Sequence, residues 1–392
     1  MATPSLNPEQ AVRERYSAGA TQSEASLCCP TSYDPELLKA IPEEVLSIDY
    51  GCGNPTAYIQ PGDTVLDLGA GSGKNCFLAC QIAGANGRVI GIDMTDAMLE
   101  VARRNAPEVA RRLGYTNVEF RKGKIQDLRL NLEELDRWLA QHPVRSAADL
   151  SQLEAATAEM RNARPLVADD SINVVISNCV LNLVRPEDKT LLFQEIFRVL
   201  KRGGRAVISD IVSDEHIPQT MQENAELWSG CISGAFREDL FLDAFENAGF
   251  YGIEILERQE KPWRTVEGIE FRSVTVAAYK GKQGACFEHK QAVIYKGPFR
   301  QVVDDDGHVL RRGMRVAVCQ KTFDIYSKPP YSQYFSPVPP LVPVLEEDSK
   351  PFPCTSGMLI RGPRETKGED YCLTTDAQAD CCSPGDAKSG CC

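Results

Sequence analysis

The chain has 392 residues, with 43 Lys+Arg against 55 Asp+Glu and a formal net charge of −12 at pH 7. An acidic surface of that size excludes bulk electrostatic capture of DNA or RNA, and no apolar run approaches the roughly 18 to 20 residues of a membrane helix. Hydrophobic residues make up 43%, a globular composition whose length suits two or three folded units. The opening MATPSLNPEQAVRERYS has no apolar export segment, which predicts a cytoplasmic protein. Fifteen cysteines in such a compartment predict thiols available for metal binding or redox chemistry rather than a disulfide framework.

Residues 1–59 form an N-terminal region that carries Cys28, Cys29 and Cys52. From 60 to 280, strand-like runs alternate with helical patterns, the rhythm of a largely parallel sheet covered on both faces. The strands read as TVLDLGA (64–70), RVIGID (88–93), NVEFRKG (117–123), INVVISN (172–178) and RAVISDI (205–211). Two later runs, GIEILER (252–258) and FRSVTVAAYK (271–280), are too close for a helical crossover and so predict an antiparallel pair. Helices are expected over 93–106 with Thr95 as N-cap, over 191–204 ending with Lys201, Arg202 and two glycines, and over 237–250. Residues 129–168 read as a helical insertion, with Ser146 as a cap and Leu150, Leu153 and Met160 on its apolar side. After 281 the pieces AVIYKGPF (292–299), RVAVC (315–319) and TFDIYS (322–327) predict a small β-rich unit to about 336. The Pro-rich and Cys-dotted stretch 337–392 reads as a poorly ordered tail.

The strongest local motif is VLDLGAGSGKN (65–75), in which Asp67 ends a strand and Gly69, Gly71 and Gly73 lead into a helix. Glycines allow the sharp turn and the close approach of backbone to a ligand. Asp93 closes the second strand where a carboxylate can accept from ribose hydroxyls. The arrangement resembles the class I S-adenosylmethionine-dependent methyltransferases over residues 60–280. That resemblance implies a Rossmann-like α/β fold, a seven-stranded mixed sheet with its last strand antiparallel, and S-adenosylmethionine as cofactor. It implies further that Asp67, Gly69, Gly71 and Gly73 surround the methionine part, that Asp93 holds the ribose, that Met94, Ile125 and Gln126 edge the adenine, and that Asn178 contacts the cofactor.

Cys52 in YGCGNP (50–55), Cys179 in SNCVLNL (177–183) and Cys231 in WSGCISGA (228–235) all sit in loop contexts among small residues. Individually each reads as a small buried hydrophobe. Together, YGCG, DLGAGSGKNC, GIDMT and SNCVLNL resemble, in order, the motifs of the arsenite S-adenosylmethionine methyltransferases across about 10–330. The resemblance implies that Cys52, Cys179 and Cys231 are thiolates that bind arsenite and methylated trivalent arsenicals, a ligand set suited to a soft centre. It also implies that Cys28 or Cys29 pairs with Cys52 in a disulfide during turnover, reopened by glutathione or a thioredoxin-like reductant. A monomer without nucleic-acid or membrane partners is expected. Cys76 and Cys80 read as core residues of the helix after the glycine loop. Tyr50 reads equally as pocket lining or packing, and Trp228 and Trp263 as packing.

Two other readings make different predictions. A methyltransferase for a small organic substrate would tolerate loss of Cys179, and a non-catalytic soft-metal binder would transfer no methyl group. The cysteine pairs of the tail read either as collectors of soft metals or as an idle extension.

Overall fold

A computed structural model describes residues 8–20, 31–48, 50–354 and 357–375. The chain divides between Lys282 and Gln283 into two compact units. The first is built on strands β1 (Thr64–Leu68), β2 (Arg88–Asp93), β3 (Val118–Lys122), β4 (Ile172–Asn178), β5 (Leu200–Ser213), β6 (Phe236–Arg237), β7 (Tyr251–Arg258), β8 (Arg264–Val266) and β9 (Ile269–Tyr279). They form one sheet in the order β3-β2-β1-β4-β5-β9-β7, with the short β6 on β5 and β8 on β9. β1 to β5 are parallel, and β9 runs antiparallel to both its neighbours. This is the mixed sheet expected of a class I methyltransferase, its last strand β9 antiparallel, with two extra short strands.

The central strands are apolar almost throughout because helices cover both faces of the sheet. Leu66, Leu68, Ile90 and Ile92 point to one layer, with Leu192, Phe193, Ile196 and Phe241. Val65 and Val89 point to the other, with Phe77, Leu78, Met98 and Leu99. The strand order reverses between β1 and β4, the switch point at which open α/β sheets leave a crevice beyond their carboxyl ends. The glycine loop and Cys179 follow those two strands directly.

Several boundaries differ from the sequence pattern. The helix expected over 191–204 spans Lys189–Val199, and Lys201 and Arg202 already belong to β5. Backbone N–H groups of Asp170 and Ser171 donate to Arg198 and Val199 carbonyls, satisfying the helix end without a glycine cap. The helix after β2 continues through Pro107 to Leu113, where Gly114 at φ 81° ends it. The insertion folds as two helices, Leu132–Gln141 and Ala147–Ala163, and Ser146 does cap the second by accepting from Asp149 N–H. Of its expected apolar side only Met160 is buried, while Leu150 is 49% exposed.

The second unit contains β10 (Phe287–Glu288), β11 (Ala292–Tyr295), β12 (Gln301–Val303), β13 (Val309–Arg311), β14 (Arg315–Ala317), β15 (Phe335–Val338) and β16 (Lys350–Pro351). β11 lies between β14 and β15 over a core of Val293, Tyr295, Leu310, Val316 and Phe335. TFDIYS, read as a strand, is the helix Gln320–Tyr326. Its alternation misleads because Thr322 and Tyr326, four residues apart, are the buried pair. The boundary expected at 336 falls inside β15. Order continues beyond it through β16 and the helix Pro363–Lys367, so the described part of the presumed tail is structured. Proline is tolerated at Pro337 and Pro351 in strands that pair on one side only.

Candidate active site

The turn after β1 is shaped by its glycines. Gly69 has φ 73°, and a Cβ there would come within 2.5 Å of the Val180 side chain. Gly71 at φ 53° has open space where its side chain would be, and its N–H donates to Asp93 Oδ2 at 2.9 Å. The other carboxylate oxygen of Asp93 accepts from Thr95 N–H at 2.8 Å. Burial raises the Asp93 pKa, and those same N–H groups oppose the rise.

These groups border an open cleft of about 970 Å³, a volume that takes in the solvent at its mouth. Gly69, Gly71, Asp93, Met94, Ile125, Gln126, Asn178 and Cys179 all line it. Asp67 and Gly73 do not. Gly73 at φ 92° turns the chain into its helix, and a Cβ would come within 2.9 Å of Phe120, so its demand comes from packing. Asp67 is 1% exposed beneath the loop, where its Oδ2 accepts from the Cys76 thiol at 3.1 Å. Its Oδ1, and Oδ1 of Asn75 in the cleft lining, lack a hydrogen-bond partner. Open space at Gly71 and the unsatisfied Asn75 oxygen in the lining fit a ligand that carries donors, such as an ammonium group, with a ribose for Asp93.

The thiols converge where the loops after β4 and β5 meet the turn ahead of β1. Cys52, Cys179 and Cys231 are free, buried and share one cluster with Val12, Trp228 and Phe271. The Cys231 thiol donates to the Cys179 carbonyl at 3.1 Å, and the Cys179 sulfur is near enough to those of Cys52 and Cys231 for each to act on its ionisation. Those two neighbouring thiols and then burial push the Cys179 pKa well up, and burial raises Cys52 as well. Both are therefore thiols at neutral pH before substrate arrives. Cys179 and Cys231 sit at φ 64° and 60°, left-handed conformations that cost a non-glycine residue about 1–3 kcal/mol and concentrate at functional sites.

Asn178 organises this convergence. Its Oδ1 accepts from the N–H groups of Cys52 (2.8 Å) and Gly53 (3.1 Å), and its Nδ2 donates to Gly53 O (2.8 Å) and Tyr33 Oη (3.3 Å). Gly51 is needed here, since a Cβ would fall 2.6 Å from Asn178 Nδ2. The Asn178 amide is thus engaged by the Cys52 turn and Tyr33, while the residue also lines the cleft. Asn182 acts likewise for Cys231, donating to Ile211 O at 2.6 Å and to Cys231 O at 3.4 Å. Cys28 and Cys29 lie outside the described residues.

A family model described as a methyltransferase domain matches residues 59–163 and 143–249, and one described as a domain of unknown function matches 282–371. An arsenite methyltransferase of Aquipseudomonas alcaligenes is 30% identical over 326 residues, covering 79% of this chain and 84% of the relative. The chain belongs to the arsenite methyltransferase family. An arsenite methyltransferase of Mus musculus is 29% identical and covers 85% of this chain and 81% of its own. The crystal structure of an arsenic(III) S-adenosylmethionine methyltransferase from Chlamydomonas reinhardtii superposes with a TM-score of 0.54 at 28% identity, covering 80% of this chain and 99% of that one.

Within that family fold, two groups escaped the sequence reading. Tyr16, on the helix Pro8–Gly19, lines the cleft, and burial together with the neighbouring Cys231 and Cys179 sulfurs raises its pKa well above the usual phenol. No local signal marks it, because its place depends on the docking of that helix. Arg15 anchors the dock by donating to Glu226 O (2.9 Å) and Ser229 Oγ (3.0 Å), and Lys124 pairs with Glu9 at 2.8 Å across the cleft mouth. Asn182 is the second, and its position in SNCVLNL was the available clue. Cys76 and Cys80 are core residues, 0% and 1% exposed.

The buried carboxylates have a measurable consequence. Burial, with the charge of Asp93, pushes the Asp67 pKa up to about 7, and burial lifts Asp210 to about 6. The folded state therefore keeps protons that the unfolded chain releases near pH ~4. Their stabilisation is complete below that value, falls as pH rises, and is lost above about 7. The ligand-free protein is expected to melt at progressively lower temperature across that window, with a shallower slope in Asp67→Asn. Equal slopes in the two proteins would count against the raised acid.

Proposed function

We propose that this enzyme methylates trivalent arsenic, inorganic and already methylated, with S-adenosylmethionine as methyl donor. One observation carries the reading. Cys179 belongs both to a buried three-thiol cluster and to the wall of the cleft that the glycine loop and Asp93 shape. When bound, S-adenosylmethionine supplies an electrophilic sulfonium methyl group. Asp93 and the glycine loop would hold it, with Met94, Ile125 and Gln126 along the adenine.

Arsenite binding exchanges hydroxide for sulfur. Each thiol gives its proton to a departing hydroxyl, which leaves as water, and raised thiol pKa values suit ligands that deprotonate only on binding. Three sulfurs leave the arsenic lone pair as the nucleophile, so no side chain has to act as general base. The contribution of this chain is orientation and exclusion of water, an effect worth on the order of 7–11 kcal/mol when reacting atoms are held near contact distance. Tyr16 and Tyr50, packed edge to face at 5.9 Å, would close the water side of that pocket.

Methyl transfer oxidises arsenic by two electrons, and two thiols that form a disulfide return them. Cys28 or Cys29 with Cys52 is the proposed pair, reopened by glutathione or a thioredoxin-like reductant in the cytoplasm, with the enzyme acting as a monomer. Among the described residues no helix is long and apolar enough to cross a membrane.

Incubation with arsenite, methyl-labelled donor and a thiol reductant is expected to yield labelled methylated arsenicals by product speciation. Arsenite binding without methyl transfer would instead support a sensor. Asp93→Asn is expected to weaken S-adenosylhomocysteine binding by roughly 10- to 100-fold, the effect of losing charge-assisted hydrogen bonds, while arsenite affinity stays near wild type. Calorimetric titration of both ligands measures the split.

A further inference from the structure

We propose that Cys286, Cys319 and Cys354 form a second binding site for trivalent arsenic, contained in the C-terminal unit. Their three sulfurs lie within 4.8 Å of one another, although they come from positions 286, 319 and 354 of the chain. The convergence is built by the backbone. β10 and β16 pair Phe287 with Pro351, Phe352 N–H donates to Cys286 O at 2.8 Å, and Cys354 N–H turns back to Phe352 O at 2.9 Å. Cys319 caps the helix Gln320–Tyr326, where its sulfur accepts from Thr322 N–H (3.5 Å) and lies 3.3 Å from the Thr322 hydroxyl.

The donor set selects the ligand class. Three soft sulfurs favour a thiophilic ion over a hard one. A structural zinc site takes four ligands, whereas this cluster among the described residues offers three. Trivalent arsenic is complete with three sulfurs in a pyramid, since its lone pair occupies the fourth direction. The Lys321 ammonium, held by the Gly284 carbonyl at 3.0 Å, brings a positive charge to Cys286 and lowers its pKa. Cys319 is buried, Cys286 half-buried and Cys354 exposed, so the site has a floor and an open side through which an ion can enter. Choosing arsenic over another three-coordinate soft ion rests on the substrate proposed above. Binding forms three As–S bonds and breaks three As–O bonds of arsenous acid. The thiol protons leave in three waters and no electrons move.

Such a site would hold arsenite apart from the catalytic thiols and give the C-terminal unit a sequestering role. The test uses the reduced full chain, with equilibrium dialysis against arsenite and X-ray absorption at arsenic. In Cys52→Ser/Cys179→Ser/Cys231→Ser protein one tightly held equivalent is expected to remain, bound by three sulfurs. Adding Cys354→Ser should weaken it on the order of 10²-fold, the loss of one tethered ligand. Cys354 is exposed, so an unchanged melting profile is expected to accompany that loss. Arsenic retention indifferent to Cys354→Ser would overturn the proposal. So would displacement of the equivalent by zinc with four-ligand coordination, or a disulfide within the trio that persists in excess glutathione. Failure of the catalytic reading would appear separately, as wild-type protein that transfers no methyl group or that loses no equivalent when the catalytic thiols are replaced.

Discussion

Cys179→Ser is expected to lower kcat/KM for arsenite methylation on the order of 10²-fold or more, the scale at which misplacing a reacting atom by an ångström is felt. Serine preserves size and tolerates the left-handed backbone at φ 64° about as well as cysteine does, so the fold should persist. Hydroxyl oxygen is a hard ligand and a poor substitute for sulfur on a soft centre. The three thiols share one buried cluster, and loss of Cys179 leaves only two sulfurs for the arsenic. S-adenosylhomocysteine affinity should move little. Turnover close to wild type would instead favour a small organic substrate and incidental cysteines.

The second large effect is expected at Asn178, through position rather than chemistry. Asn178→Ala strands the N–H groups of Cys52 and Gly53 in a buried turn, and each unsatisfied group costs about 1–3 kcal/mol. A destabilisation of roughly 2–4 kcal/mol should appear in denaturant unfolding, together with at least a tenfold lower arsenite kcat/KM. Cofactor affinity should stay near wild type, because the amide is fully engaged with Cys52, Gly53 and Tyr33. Asn178→Asp keeps the oxygen that accepts both N–H groups and loses the donors, so it should recover part of the activity. Equal loss of cofactor binding and turnover would return the amide to the cofactor-contact role expected from its motif.

Local pattern carried the strand-loop-helix alternation, and with it the sheet, because buried parallel strands must be apolar and their turns must carry glycine. Helix ends were read less well. The 191–204 helix stops at Val199 because a neighbouring loop satisfies its carbonyls, and TFDIYS became a helix because burial at Thr322 and Tyr326 outweighed its alternation. Asp67 and Gly73 belong to the same motif as Gly69 and Gly71, yet only the latter pair reaches the cleft. A motif records which residues a turn needs, and packing decides which of them a ligand can touch.

From the order of residues alone came the α/β class, the glycine loop with Asp93, and the identity of the sulfurs in YGCG, SNCVLNL and WSGCISGA. Each is a short-range feature, governed by backbone conformation or by the chemistry of one side chain. Folding alone settled that Cys52, Cys179 and Cys231 share one buried cluster, that Asn178 serves the Cys52 turn, that the helix Pro8–Gly19 brings Tyr16 to that cluster, and that Cys286, Cys319 and Cys354 meet. Those outcomes join segments tens to hundreds of residues apart. Their register is set by the packing of whole layers, and no local period encodes it.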